Sequence, residues 1–193
     1  MLHPGVAAFV LDNSPTGLDP GVLPPGIGLF RPDSPLSFTQ SMNFACFEAD
    51  QRDVRWLIFM HNDASADVTL IDDLLSLGEQ NLGDSRVGVF FTAYDAVAAF
   101  NMDAVRDVGA WDETWRWYAS DIDYYHRLRT RGWQVCDSPF GHRVSHEISA
   151  TLGAGADAAA LKDDYSYEFN HYAHKWGGGF GQERFTIPYN GNP

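Results

Sequence analysis

The run from Arg55 to Met60, RWLIFM, constrains the chain more than any other stretch. It is short, continuously apolar after its first residue and bounded by polar residues, the pattern of a strand buried inside a sheet. It ends directly in His61-Asn62-Asp63. In open α/β sheets, ligands bind beyond the carboxyl ends of strands. A strand that delivers an imidazole and a carboxylate there is a natural divalent-cation site. Aspartate suits Mg²⁺ or Mn²⁺, and imidazole suits Mn²⁺ or a softer ion. Two groups do not fill a coordination sphere, so the remaining ligands have to come from a bound phosphate and from another segment. The plain alternative is a loop aspartate that caps the next helix. Asp67 fits that role better, because Leu70, Ile71, Leu74, Leu75 and Leu77 follow it at helical spacing.

Other segments repeat the alternation of apolar run and amphipathic helix. Val6 to Leu11 (VAAFVL) reads as a buried strand ending in Asp12-Asn13-Ser14, a candidate ligand contact or a plain turn. Pro15 to Gly28 holds four prolines and four glycines and reads as an irregular loop, with a short strand from Gly28 to Phe30. Ser37 to Ala49 places Phe38, Met42, Ala45 and Ala49 at helical spacing. Asn43 is the polar residue there placed to face a ligand, a solvated helix position being the alternative. Arg86 to Phe91 and Ala96 to Phe100 read as strands, separated by Thr92 to Asp95. Asp103 to Val108 reads as a short helix stopped by Gly109, and Trp133 to Asp137 as a strand. Leu161, Tyr165, Phe169, Tyr172 and Trp176 mark a last long helix, ended by Gly177 to Gly179. Strands alternating with helices predict an α/β sandwich with a mostly parallel central sheet and no second domain.

Between two of the apolar runs lies VRDVGAWDETWRWYASDIDYYHRLRTRGW, from Val105 to Trp133. Asp121 to Arg131 reads as a helix whose stop signal is Gly132. Asp121 and Asp123 then fall in the first turn, where unpaired N–H groups and the helix dipole favour carboxylates. Two readings fit. Either these acids only start the helix, or one is a positioned base at the mouth of a pocket lined by Trp111, Trp115, Trp117 and Tyr118.

Charge narrows the partners. With 13 Lys+Arg against 26 Asp+Glu the formal net charge is -13, which disfavours a nucleic-acid partner. It does not exclude a nucleotide, which a metal ion and backbone amides can hold. Cys46 and Cys136 lie in apolar segments and read as reduced core residues. No basic start with an apolar run marks a signal peptide, and no run approaches the roughly 18 apolar residues of a membrane span. The expectation is a soluble, cytoplasmic protein.

The constellation resembles the inverting glycosyltransferases of family 2, which have the GT-A fold. VLDNS resembles the strand end that contacts the nucleotide base, and RWLIFMHND the strand ending in the metal-binding DXD motif. The stretch with Gly109, Asp112-Glu113, Asp121, Asp123, Arg127 and Gly132 resembles the family's acceptor and catalytic segment. HEISATL resembles the segment whose histidine helps hold the metal, and HYAHKWGGGFGQERFTIPYN resembles the tail of a bacterial and phage subgroup. The resemblance implies a compact, N-terminally shortened GT-A-like domain over residues 1–193. Residues 1–100 would form the nucleotide and metal half, 101–155 the acceptor and catalytic half, and 156–193 the C-terminal helix and tail. It implies a metal-dependent enzyme that moves a sugar from a nucleotide-diphosphate donor to a hydroxyl of a glycan or protein acceptor. It places the enzyme in the cytoplasm, the host's if phage-encoded. Asp121 would be the catalytic base. Asp63, His61 and His146 would hold Mn²⁺ or Mg²⁺. Asp12, Asn13, Asn43, His61, Asn62 and Asp63 would contact the nucleotide-sugar donor. Asp95, Trp111, Asp112, Glu113, Trp117 and Tyr118 would shape the acceptor and sugar site.

Three features depart from the family pattern. His61 stands where the metal motif has its first acid. Ser120 stands where a glutamate precedes the base. The family's opening strand and helix have no counterpart before VLDNS, which leaves a compacted domain, strand donation in a homodimer or a circular permutation. The missing opening strand and the altered metal motif favour the alternative of a non-catalytic GT-A-like module that binds carbohydrate or a protein partner. A third reading is a metal-dependent hydrolase built on Asp63, His142 and His146.

Overall fold

The computed structural model describes residues 5–14, 16–67, 69–81, 86–92, 95–116, 118–146 and 158–192. In chain order the strands are β1 (Ala8–Leu11), β2 (Ile27–Phe30), β3 (Trp56–Met60), β4 (Ala64–Ala66), β5 (Val87–Thr92), β6 (Val97–Asn101), β7 (Gln134–Asp137) and β8 (Val144–His146). The helices are α1 (Phe38–Gln51), α2 (Leu70–Gln80), α3 (Met102–Val108), α4 (Ser120–Thr130) and α5 (Ala158–Trp176). The fold is mixed α/β.

The central sheet has four strands in the order β3-β6-β5-β7. β6 runs antiparallel to both β3 and β5, while β5 and β7 are parallel. Thus β3, β5 and β7 point one way and β6 opposes them. The expected mostly parallel sheet is corrected on this point, since two of its three pairings are antiparallel. The cause lies in the connection. Only residues 93–96 separate β5 from β6, and a parallel crossover needs a dozen residues or more. The short link forces a hairpin, and Thr92 Oγ1 closes it by donating to the Val97 carbonyl at 2.8 Å.

Helices cover both faces of this sheet. On one face α1, α3 and α4 bury Met42, Cys46, Ala104 and Leu128 against Val89 and Phe100. On the other, α2 buries Leu70 and Leu74 against Trp56, Val87, Phe90 and Val97. Val87 and Val89 would share a face in a regular strand. The pairing of β5 with β7 is irregular between them, and that bulge turns Val89 to the opposite side. Gly88 sits in the bulge because a Cβ there would lie 2.9 Å from Leu128 Cδ2. Each buried Leu, Val or Phe contributes about 1.5–3 kcal/mol.

β1 and β2 do not join the sheet. They form a separate parallel pair, Ala8 opposite Ile27 through Leu11 opposite Phe30. Among the described residues β1 pairs only with β2, and β3 only with β6. Helix α1 bridges the two layers. Phe44 packs on Phe9 and stacks on Phe30 at 4.0 Å, and Phe38 meets Phe59 of β3 at 5.6 Å. A capping box between Ser37 and Gln40 starts α1. Gly109 (φ 86) ends α3, and Gly132 (φ 79) follows α4, both in the left-handed region that glycine adopts cheaply. Asp67 does not cap α2 itself, since Thr69 is the cap residue. Asp67 instead accepts from the Thr69 amide and hydroxyl just ahead of the helix.

α5 packs Tyr172 and Trp176 on Trp115 and Ala119, in the loop that leads into α4. Cys46 and Cys136 are free thiols. No described helix is long and apolar enough to cross a membrane.

Candidate metal and active site

The strand β3 ends where the sheet ends. His61 extends the ladder by one bond, its amide donating to the Ala96 carbonyl at 2.9 Å. The chain then turns, with Ala64 N bonded back to His61 O at 3.2 Å, and enters β4. β4 pairs antiparallel with β8, placing Ala64 opposite His146. That register brings Asp63, just before β4, against His146 at the end of β8.

The result is a compact donor set. Asp63 Oδ1 lies 3.2 Å from His146 Nε2 and 4.0 Å from His61 Nδ1. The imidazole centroids are 5.5 Å apart. One ligand atom from each of the three residues falls within 4.8 Å of the others. Asp63 Oδ1 and His146 Nδ1 are buried and have no hydrogen-bond partner among the described residues. Burial, with a smaller push from His146, lowers the His61 pKa against the opposing charges of Asp63 and Asp121. A neutral imidazole keeps its lone pair for a metal. The donor chemistry therefore fits a divalent ion, and two imidazoles beside one carboxylate favour Mn²⁺ or a later transition ion over Mg²⁺.

β8 is held in place from behind. Arg143 bonds Asp67 through Nε at 2.5 Å and through Nη2 at 2.6 Å, and reaches Asp73 Oδ2 at 2.6 Å and Thr69 Oγ1 at 2.6 Å. This clip ties the turn before β8 to the start of α2. The Arg143 bonds, helped by Thr69, hold the Asp67 carboxyl well below the usual carboxylate range.

Asp121 stands in the first turn of α4, behind Ala119, a non-glycine residue at φ 56. Asp121 acts electrostatically on both His61 and Asp95. Asp95 sits in the β5–β6 turn at φ 64 and accepts from Tyr125 Oη at 2.6 Å. Burial first, then the charge of Asp121, pushes the Asp95 pKa up to about 7. Thus the residues after β3, the β5–β6 turn, the end of β8 and the start of α4 form one acidic, histidine-bearing site. It lies at the carboxyl end of β3.

The other expected contacts are placed elsewhere. Asp12 is buried, and its oxygens accept from Ser14 N and Oγ, from Leu18 N and from Arg31. Those bonds, Ser14 foremost, drive its pKa far down. Asn13 is committed to Leu36 N and O, and Asn43 to Trp111 N and O and to Glu113. All three brace loops around α1 instead of presenting free polar atoms. Asn62 is exposed in the turn beside the donor set. Trp111, expected in an open aromatic wall, is in the core, stacked on Tyr124 at 4.2 Å and 2°. Trp115 is likewise buried, under α5. Asp112 is paired with Lys175 at 2.6 Å and Glu113 lies exposed on Asn43. Tyr118 is half-buried beside Tyr165 of α5 at 5.1 Å. Trp117 lies outside the described residues. His142 is exposed and bonds the Pro139 carbonyl, apart from the donor set.

Three supporting residues escape sequence reading. Arg143 has no local signal, since its partners are about 70 residues away. Lys175 is buried against Asp112 and Asp123, under Trp115 and Trp176. Glu168 accepts from Arg116 N and Tyr118 N and so shapes the loop before α4. Charged residues at buried helix positions, within an otherwise apolar stripe, are the one available hint.

No protein-family model matches the chain, and no curated protein matches it. Among solved structures it is similar to a cytidylyltransferase from Leptospira borgpetersenii serovar Hardjo-bovis (strain JB197), at 15% identity and a TM-score of 0.42. The match covers 59% of this chain and 48% of that one, so it spans about half the length of that enzyme.

Proposed function

We propose that the chain is a metal-dependent inverting glycosyltransferase of the GT-A type, acting on a nucleotide-diphosphate sugar and a hydroxyl acceptor. The observation that carries this reading is the convergence of His61, Asp63 and His146 with Asp121 at one end of the sheet. In this reading Asp63, His61 and His146 hold Mn²⁺ or a similar ion. Such an ion, when bound, acts as a Lewis acid on a leaving diphosphate. Asp121 takes the proton of the acceptor hydroxyl, and the first turn of α4 fixes its position. Arg143 keeps His146 in register with Asp63 through β8.

Asp121→Asn tests the assignment. The amide keeps the shape but cannot accept the proton. Transfer should fall by two orders of magnitude or more, at roughly the scale of lost general-base catalysis, with donor binding within about twofold of wild type. Transfer at the wild-type rate would remove Asp121 from the mechanism.

One observation favours a second reading, a non-catalytic binding module of the same fold. Asp12 and Asn13, the expected contacts for the nucleotide, already spend their polar atoms on the protein itself. Calorimetric titration of nucleotide sugars with Mn²⁺ separates the two. Donor binding supports the enzyme, and glycan binding without donor binding supports the module.

A further inference from the structure

The buried face of α5 is turned to the segment that carries Asp121. Its buried residues, among those described, are Glu168, Tyr172, Lys175 and Trp176, which lie at i, i+4, i+7 and i+8 along one side of the helix. Tyr172 and Trp176 pack on Trp115 and Ala119, with Ile122 and Phe169 beside them, and no strand residue enters that cluster among the described residues. The two charged members of the face bond the chain on either side of Asp121. Upstream, the Glu168 carboxylate accepts from Arg116 N at 2.9 Å through one oxygen and from Tyr118 N through the other. Downstream, Lys175 Nζ lies 2.7 Å from Asp123 Oδ1, and the Trp176 indole N–H donates to the same oxygen at 2.8 Å. Between these anchors Ala119 is held at φ 56, a left-handed conformation that a glycine would adopt cheaply and an alanine does not, and it gives α4 no side-chain cap. Such a conformation persists where the surrounding structure enforces it. Glu168 is 4% exposed. A buried carboxylate that receives two backbone N–H groups makes charge-assisted bonds, stronger than those of a neutral acceptor, and supplies that enforcement.

We propose that Glu168 is a positioning residue for Asp121: it holds the left-handed turn at Ala119, so that the first turn of α4 aims the Asp121 carboxylate at the acceptor hydroxyl. The fixing of the turn stands on the bonds themselves, whereas its kinetic consequence rests on the glycosyltransferase reading. His61 and Asp63 follow β3 and His146 ends β8, and neither Glu168 bond reaches them. Losing those bonds therefore misplaces the base and leaves the donor site intact. The site needs a carboxylate and not only a polar side chain of that size. Both oxygens face N–H donors, whereas a glutamine has one acceptor oxygen and would turn its own NH₂ toward the second amide.

The test has two arms on the full chain. In the first, backbone amides are followed by hydrogen exchange and ¹⁵N relaxation in chelator-treated protein without substrate. In Glu168→Ala the Arg116 and Tyr118 amides should exchange at least about tenfold faster, while the β3–β6 ladder keeps its protection. The order parameters of Ala119 to Asp121 should fall from about 0.85 toward about 0.6. Glu168→Gln, of the same size, should release one of the two amides, and it carries this arm alone if Glu168→Ala does not fold. Unchanged exchange at both amides, or unchanged order from Ala119 to Asp121, overturns the proposal. In the second arm, kcat should fall at least about tenfold in both variants, toward the roughly 10²-fold cost of a base displaced by about 1 Å. The donor KM and the Mn²⁺ affinity should stay within about twofold of wild type. An equal loss of donor binding marks a general loss of structure, and an unchanged kcat leaves the turn without a part in catalysis. Either result overturns the positioning role. A wild-type protein that transfers no sugar refutes the function reading and leaves the first arm to decide whether Glu168 fixes the turn.

Discussion

Replacing Lys175 by methionine removes the cation from a buried cluster and keeps most of its volume. The ammonium is 2.6 Å from Asp112 Oδ2 and 2.7 Å from Asp123 Oδ1. The two carboxylates differ in their access to water. The Asp112 side chain is 28% exposed and can be rehydrated once the cation is gone, whereas Asp123 is 1% exposed and cannot. Asp123 would keep only the Trp176 indole N–H at 2.8 Å, and its Oδ2 has no partner among the described residues even with Lys175 in place. Removing one partner of a buried pair costs about 3–5 kcal/mol, because the other charge is left uncompensated. The contacts of Nζ with Trp115 and Trp176 at 5.2 and 5.3 Å add to the loss. Urea denaturation followed by tryptophan fluorescence measures it, and Lys175→Met should be less stable by about 3–5 kcal/mol. At roughly 2–4 °C per kcal/mol for a chain of this size, the Tm should fall by about 6–20 °C. Asp123→Asn in the same chain removes the stranded charge and should restore most of that loss. A loss below about 1 kcal/mol, the scale of an exposed pair, or no recovery in the double variant, would refute burial as the source of the cost.

Gly178 and Gly179 should respond differently to a methyl group. A Cβ on Gly178 would lie 2.0 Å from the Gln182 carbonyl oxygen, a backbone atom that cannot swing aside, whereas one on Gly179 meets nothing within 4 Å. Gly178→Ala should therefore cost about 1–3 kcal/mol in chemical denaturation, and Gly179→Ala should lie within about 0.5 kcal/mol of wild type. The lowered His61 pKa sets a direction for the metal-free protein. The folded state resists protonation there, so that contribution is whole above the unfolded value of about 6.5 and is lost as pH falls through and below it. The urea midpoint should drop between pH 7 and pH 5, with a shallower drop in His61→Asn. Equal slopes would exclude His61 as the cause.

The sequence was most readable where a signal is local. The apolar run of β3 and its His61–Asp63 end, the α4 register and the Gly109 and Gly132 stops arise from spacing and from φ preferences within a few residues. The hairpin of β5 and β6 was also legible in principle, since the link was too short for a crossover. What escaped depends on distant partners. Trp111 looks like a binding-site aromatic until Tyr124 and Phe100 pack on it. Asp12 looks free until Leu18 and Arg31 fold back on it. The separation of β1 and β2 from the central sheet depends on which edges pair, and strand patterns do not encode that. The pairing of Asp63 with His146 was expected only through the family resemblance, since it comes from the β4–β8 register, between strands of only three residues each, too short to show a period.

The central claim is that His61, Asp63 and His146 hold a divalent ion next to Asp121. Calorimetric titration of Mn²⁺ into chelator-treated protein, with and without a nucleotide-diphosphate sugar, tests it most directly. One Mn²⁺ should bind per chain, with affinity lowered at least about tenfold by His146→Ala, raised by the nucleotide sugar and unaffected by Asp112→Asn. No saturable Mn²⁺ binding, or binding that survives His146→Ala and Asp63→Asn unchanged, would contradict it.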